Sequence, residues 1–560
     1  MTTAADLLAA GKAALVRGDW ALARPLLADA VERHETADGL YQLARAVEWA
    51  GDYQDAIALY ERAFVAYREL GESRIPALIA GRELSFLHAA VYGNDAVAAG
   101  WLARARSLVY EAGECVESGW VELAEALVTE DGESKLAHAQ AALDIAGRLN
   151  DADLRFCALS NVGVALVLQG RIDDGMRALD EAATAAAGRE VTDYITAGEI
   201  YCHMLLCCEL TLDVRRAQQW SAVATGHGTR ENSPWVSAIC RTHYGAVLTA
   251  AGQWDEAERE LRASIDLYDA SYRALRSGAI VRLADLRVRQ GRYDEAGRLL
   301  AGFEFDAFAV RPLARLHLVR GEHAMARRLL RRVVGTTGDA ASGDDATHPL
   351  ELALLAEVEA AAGNLDEARA VCKRLSSVVA VAQVPRIRAF AEYAAGVVCA
   401  AAEDPDALAH FEAALPLFAE AELPLEEART RLAISQAIAA TEPEVAAAEA
   451  RAALEVFERM AAFADADAAA NHLRGLGVHG GRPARRTAGP LTRRESEVLA
   501  HVAEGLTNEQ IAARLYISKR TVEHHVGSVF AKLGVATRAE AAAYALREEP
   551  KPATAVRNGA

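Results

Sequence analysis

The thirteen residues GDYQDAIALYERA, Gly51 to Ala63, decide how most of this chain is read. Glycine can take the left-handed backbone that closes one helix, and Asp, which follows at 52, is a residue type that caps the next. After Tyr53, the positions Ala56, Tyr60 and Ala63 recur at helical spacing. They predict one helix face on which small residues let a neighbour approach and the ring fills the space between them. The segment therefore reads as the turn and second helix of a helical hairpin. Working outward, the same order of glycine, polar residue, bulky apolar residue and, three positions on, alanine returns. It is found at Gly18-Asp19-Trp20 with Ala23, Gly252-Gln253-Trp254 with Ala257, Gly291-Arg292-Tyr293 with Ala296, and Gly363-Asn364-Leu365 with Ala368. Gly170-Arg171-Ile172 and Gly321-Glu322-His323 are weaker copies. The intervals are 33 residues, then 82 or twice 41, 39, 30 and 42, a period near 40. One such hairpin cannot bury its apolar face alone. Stacked copies can, and they generate a superhelix whose concave surface suits a peptide, a partner helix or a small molecule.

This repeat resembles the tetratricopeptide repeat, with residues 51–63 nearest the family's pattern. The longer copies resemble the helical repeats in the sensor domains of MalT-like bacterial regulators. The expected fold class is all-α: a tetratricopeptide-like α-solenoid over residues 1–334 and 350–473, followed by a small four-helix domain. Between the two stretches, Gly335 to His348 (GTTGDAASGDDATH) is rich in Gly, Ser, Thr and Asp, which predicts an exposed loop over 335–349 that divides the array into two subdomains. Trp20, Tyr53, Trp254 and Tyr293 are read as packing between hairpins. Trp220, Trp235 and Tyr244 do not repeat and are candidates for lining a ligand groove.

Composition bounds the rest. A chain of 560 residues is long enough for several domain equivalents, which excludes a small disulfide scaffold. With 52% apolar and 25% charged residues its bulk is neither disordered nor fibrous. The longest uncharged stretch noted, Phe156 to Gly170, is too short and polar to span a bilayer, and Met1 to Asp6 has no basic, then apolar, leader. The expectation is a cytoplasmic protein without a membrane partner. Eight cysteines, at 115, 157, 202, 207, 208, 240, 372 and 399, form no CxxC pair and read as buried reduced thiols. His203 beside Cys202, Cys207 and Cys208 does not make a tetrahedral ligand set, so no metal is expected. The net charge of −19 would repel nucleic acid if it were spread evenly. It is not: residues 482–551 hold 12 Lys or Arg against 8 Asp or Glu, a net of +4, which leaves −23 for the remainder.

Past an Ala-rich helix ending near Leu473, the segment 474–490 loses helical periodicity and gathers Gly, Pro and Arg, the signature of a linker. Its Gly475, Gly477 and Gly480 fit GxGxxG, yet no strand precedes them and no helix follows, so the match is discounted. Residues 491–549 then show four helical segments, and 550–560 read as a disordered tail. Thr492 with Glu495 makes a capping box, Gly505 ends the first helix, Thr507 caps a short second helix through Ile511, Ala512 and Leu515, and Ser518 caps a third. In the third helix Val522, Val526, Val529 and Leu533 pack inward, leaving Lys519, Arg520, Glu523, His524 and Gly527 outward. A fourth helix is expected from about Thr537 to Leu546.

The stretch from Leu491 to Ala541 resembles the LuxR-type helix-turn-helix domain along its length, through Leu491-Thr492, Arg494-Glu495, Gly505, Asn508, Ile511-Ala512, Ser518, Thr521-Val522, His525-Val526, Lys532-Leu533-Gly534 and Arg538. The resemblance implies that the third helix enters the major groove of double-stranded DNA, where each base pair presents a distinct donor and acceptor pattern. It assigns base reading to Glu523, His524 and Gly527. Glu523 can accept from the amino group of cytosine, and Gly527 offers no side chain, so the sequence preference differs from that of members with basic residues here. Thr507, Asn508, Ser518, Lys519, Arg520, Thr521 and Lys532 are the candidates for phosphate contact, with helix N-terminal amides at Thr507 and Ser518 assisting. His525 lies nearer the packed edge and divides evenly between a structural and a DNA-touching role.

LuxR-type domains often follow a receiver, an acyl-lactone domain or an ATP-binding module. The only Gly-Lys pair, Gly11-Lys12, is followed by Ala13 where a P-loop needs Ser or Thr, and Asp6 stands where its first glycine belongs. No GxSxG, HExxH or paired catalytic constellation is found either, so neither a cofactor nor enzymatic activity is expected. The sequence thus predicts a DNA-binding transcriptional regulator, homodimeric on DNA. Its repeats would sense an unidentified peptide, small-molecule or protein effector. The rival reading is a repeat scaffold for protein assembly in which DNA binding is secondary.

Overall fold

The computed structural model describes residues 2–129, 131–228, 234–269, 275–334, 348–382, 384–478, 493–515, 519–533, 535 and 537–548. Among them there is no strand, and the fold is all-α. The chain divides into two compact units, Met1–Leu476 and Gly477–Ala560. The expected linker and tail fall mostly outside the described residues, though the last array helix, Phe463–Gly475, runs two residues past its expected end at 473. No helix is long and apolar enough to cross a membrane among the described residues.

The first unit is a succession of antiparallel helical hairpins. All seven glycines read as turns have positive φ: 74° at Gly18, 91° at Gly51, 79° at Gly170, 76° at Gly252, 75° at Gly291, 76° at Gly321 and 78° at Gly363. After Gly51, the helix Tyr53–Glu69 buries Ala56, Tyr60 and Ala63 completely, and the Tyr60 hydroxyl donates to Glu48 at 2.7 Å. The capping role does not hold at this copy. Asp19 accepts from the amide of Leu22, but Asp52 makes no cap hydrogen bond and instead pairs with Arg24 at 2.6 Å. At further turns between helices, Asn150, Leu212, Glu403, Glu422 and Ala461 take φ of 53–59° themselves, without a glycine. Leu212, midway between Gly170 and Gly252, supplies the copy missing from that interval, and Glu403 continues the period past Gly363, each at the steric cost of a β-carbon in the left-handed region, about 1 kcal/mol. Between helices Ala152–Leu168 and Ile172–Ala187, a β-carbon at Gly175 would lie 2.5 Å from the carbonyl of Gly163, so this crossing requires glycine.

The expected division at 335–349 is not observed. Residues 335–347 lie outside the described set, but the helices on either side share one core, in which Leu330 and Val334 pack with Leu352, Val371 and Leu375. The array also folds back on itself. The amide of Phe463 donates to the carbonyl of Gln290 at 3.4 Å, Arg289 reaches Glu426 at 2.9 Å, and a β-carbon at Gly291 would sit 3.1 Å from that of Ala464. One turn earlier, Gly252 faces Met460 and Pro424.

Charge is turned inward at several places in this unit. Arg287, fully buried, binds Glu258 and Glu295. Glu359, also fully buried, accepts from Arg327, Arg331 and Asn364. Glu209 takes both a two-pronged contact from Arg282, at 2.7 and 2.9 Å, and one from His243 at 2.7 Å. Burial opposes the charge on Glu209, but Arg282 and His243 outweigh it and bring its pKa down to about 2.

Of the aromatic residues, Trp20 stacks on Trp49 with ring centres 5.6 Å apart and meets Tyr194 edge-on, as packing requires. Trp254 is buried with its indole N–H on the carbonyl of Thr249. Trp220 does not present a free ring to a groove: its N–H donates to Asp180 at 3.0 Å and the ring lies against Tyr201. Tyr244 is half-buried, and the side chain of Trp235 is outside the described residues.

Candidate nucleic-acid interface

In the second unit four helices are described: Arg493–Ala503, Asn508–Leu515, Lys519–Leu533 and Arg538–Glu548. The last begins and ends one to two residues later than its pattern predicts. Thr492, half of the expected first capping box, lies outside the described residues, while its partner Glu495 is buried. Gly505, at φ 80°, ends the first helix. Thr507 opens the second through a reciprocal box: its hydroxyl accepts from the amide of Gln510, whose side chain accepts from the amide of Thr507 at 2.8 Å. Val498, Leu499, Val502, Ile511, Ala512, Val522, Val526, Val529 and Ala541 make one core.

That core fixes the rotation of the third helix. Val522, Val526 and Val529 are buried, so Lys519, Glu523 and Gly527, spaced four apart, form one exposed stripe. A β-carbon on Gly527 would meet nothing within 4 Å. Packing therefore does not demand glycine there, and its presence mid-helix costs rather than stabilises. Lys519 Nζ lies 2.9 Å from Glu509 of the second helix, a contact that raises the ammonium above its ordinary pKa. Arg514 pairs in the same way with Glu504 at 2.7 Å.

Asn508 is half-buried, and its carbonyl oxygen accepts from Arg538 at 2.9 Å; Arg538 also donates to the carbonyl of Leu506. The fourth helix thus holds the entry of the second, and only the amide nitrogen of Asn508 is left for a phosphate. Arg520, Thr521, His524 and Lys532 lie on the third helix with side chains outside the described set, and Ser518 is outside it altogether. His525 is half-buried. Sequence reading did not single out Glu509 or Glu504, whose pairing needs the second helix to fold against its neighbours; ten-residue offsets to Lys519 and Arg514 carry no local signal.

The array holds a separate candidate site, an open cavity of about 80 Å³ lined by Arg289, Arg311, Arg315, Arg429, Tyr293 and Phe390 among others. Its walls come from helices far apart in sequence and meet because the array folds back. Each arginine is held by a carboxylate: Arg315 by Glu357 at 2.6 Å and Arg429 by Asp465 at 2.7 Å, for example. Burial works against the charge of Arg429, but Asp465 and Glu426 outweigh it and raise its pKa. Among the described residues no group of three or more His, Cys, Asp or Glu is arranged to hold a metal ion.

Four helices packed in this order, with a short second helix leading into an exposed third, define a helix-turn-helix unit. Residues 489–545 match the luxR family of bacterial regulatory proteins, so the C-terminal unit is a LuxR-family helix-turn-helix domain. Similar proteins include the transcriptional regulatory proteins YhcZ, 51% identical over 57 residues, and LnrK, 49% identical over 57 residues, both of Bacillus subtilis (strain 168). These matches cover 10% of this chain and 27% and 26% of the relatives, so the likeness is to one domain. A chain of the Cut9–Hcn1 hetero-tetramer of the APC/C aligns over 84% of this chain and 96% of its own, with 14% identity and a TM-score of 0.36.

Proposed function

We propose that this chain is a sequence-specific DNA-binding transcriptional regulator, read out through residues 491–549 and controlled through the helical repeats. The observation that carries the reading is the exposed Lys519, Glu523 and Gly527 stripe on the third helix of a LuxR-family domain. A helix of 15 residues offered this way fits the major groove, where Glu523 and His524 would meet base edges and Gly527 would let the backbone approach closely. Lys519, Arg520, Thr521, Lys532, the amides near Thr507 and Ser518, and the Asn508 amide would hold phosphates. Lys519 would exchange Glu509 for a phosphate oxygen, so neutralisation there begins from a formed ion pair.

Two copies would read half-sites about one helical turn apart. The effector would be a peptide, small molecule or protein bound by the array, and the arginine-lined cavity is one candidate place for it. The test is purified full-length protein titrated onto genomic fragments, with and without cell extract, followed by sequencing of what is bound. A recurrent half-site supports the reading. Absence of any sequence-selective fragment in both arms overturns it in favour of an assembly scaffold.

A further inference from the structure

Cys202 and Cys240 are 38 residues apart and carry no motif, yet their sulfur atoms lie 3.0 Å from each other, within about 1 Å of bonding distance. Cys202 stands on the helix Tyr194–Thr211 and Cys240 on Pro234–Ala250. Their surroundings differ. Cys202 is 6% exposed, whereas Cys240 is half-buried. Cys202 belongs to the core built around Trp20, Tyr41 and Tyr60, and Cys240 packs against both that core and the next, built around Met204 and Leu205. The pair therefore marks the seam between the two largest apolar clusters of the array.

We propose that Cys202 and Cys240 are a reversible disulfide site whose co-reactant is a hydroperoxide. Access sets the order of events. The peroxide meets the half-buried Cys240 first: its O–O bond breaks, one oxygen goes to the Cys240 sulfur as a sulfenic acid, and the other leaves as water or an alcohol. The Cys202 sulfur then attacks that sulfur, the S–O bond breaks, and a water carries away the oxygen with the remaining thiol proton. Two thiols are oxidised by two electrons and one peroxide is reduced. The contact with Cys240 and burial both push the Cys202 thiol up, which makes it a poor first target and leaves proximity to drive the second step. No other pair of cysteine sulfurs is in hydrogen-bonding contact among the described residues, although Cys372 and Cys399 are near enough to influence one another. Cys207 and Cys208 are fully buried neighbours in one helix, the latter against Met204, and Cys157 donates to Glu199.

The test uses the full chain, hydrogen peroxide as the probe, and neither DNA nor effector, so its failure leaves the regulatory reading standing and the converse also holds. After oxidation, denaturation, alkylation and digestion, two of the eight thiols should be lost. The cross-linked peptides should join residue 202 to 240, and dithiothreitol should restore both thiols. In Cys202→Ser the Cys240 sulfenic acid should accumulate and be trapped by dimedone; in Cys240→Ser, Cys202 should stay reduced. Eight persisting thiols, a link between any other pair, or equal oxidation of Cys202 without Cys240 overturns the proposal. Circular dichroism checks that the serine variants fold, and if they do not, the peptide map of the unaltered chain decides alone.

Discussion

The two units use charge in opposite ways. In the array, Arg287 has no exposed side-chain surface and satisfies itself on Glu258, Glu295 and Gln290. In the C-terminal unit, Lys519 and Glu509 form an ion pair of nearly the same length with 54% and 75% of their side-chain surfaces exposed. A buried guanidinium cannot exchange partners without unfolding something; an exposed ammonium can trade a carboxylate for a phosphate at little cost. The net charges of −23 and +4 say which part is acidic and which basic, but the burial says which charges are available. The buried part of the array's charge specifies its own packing, while Lys519 and Glu523 of the C-terminal unit are presented outward.

The hardest blow to this contrast would come from Arg287→Leu. Removing the guanidinium leaves two carboxylates without their common partner, and urea unfolding should show a loss of about 3 kcal/mol. A loss below about 1 kcal/mol would mean that the inward charges are idle. On the other side, Glu523→Ala or His524→Ala should change preference by about 1–3 kcal/mol at one base pair, while Arg520→Ala should weaken all sites alike and lower the salt slope by about 1. Binding isotherms on a selected site and its single substitutions, at two salt concentrations, separate the outcomes. Uniform losses for all three would sink the assignment of readers.

Titration sharpens the contrast further. Burial, followed by the neighbouring His243 and Lys135, brings His203 down to about 4 from an ordinary 6.5. Between those values the unfolded chain takes up a proton that the folded array refuses. The stability from a neutral His203 is complete above pH 6.5 and lost as pH falls toward 4, by about 1 kcal/mol per pH unit at most. Thermal unfolding of the array across that window should flatten in His203→Asn, whose Ser160 contact at 2.9 Å is the one most directly altered. The smallest effect is expected at Gly527→Ala. With open space around the added methyl, the third helix should gain about 0.5–1 kcal/mol in stability while DNA affinity falls. Unchanged affinity would remove Gly527 from the interface.

Local chemistry was legible in the sequence, and closure was not. The seven glycine turns and the inward valines of the third helix are set by residues within one or two turns of chain, so spacing alone reveals them. The turns at Leu212, Glu403, Glu422 and Ala461 escaped because packing forces a left-handed conformation on residues that do not prefer it. Asp52 satisfies capping chemistry on paper, yet Arg24 of the preceding hairpin takes its carboxylate. The arginine-lined cavity depends on which distant helices meet, a property of the curvature accumulated over many repeats, and the Cys202–Cys240 contact on the register between helices one repeat apart. Likewise nothing local to Asn508 foretells that Arg538, thirty positions on, holds its side-chain oxygen and leaves the amide nitrogen as the donor.

The backbone contact between Gln290 and Phe463 bears on mechanics. An open superhelix lengthens under tension as a spring does, each hairpin yielding by a small rotation. Here the segment between these residues is latched into a loop, so a pull on its ends loads the Phe463–Gln290 hydrogen bond together with the Arg289–Glu426 ion pair and the fit of Gly291 against Ala464. Extension would begin with release of that catch, as a discrete event rather than a gradual stretch. A methyl group at 291 would press Ala464 back by a few tenths of an ångström and strain the left-handed turn.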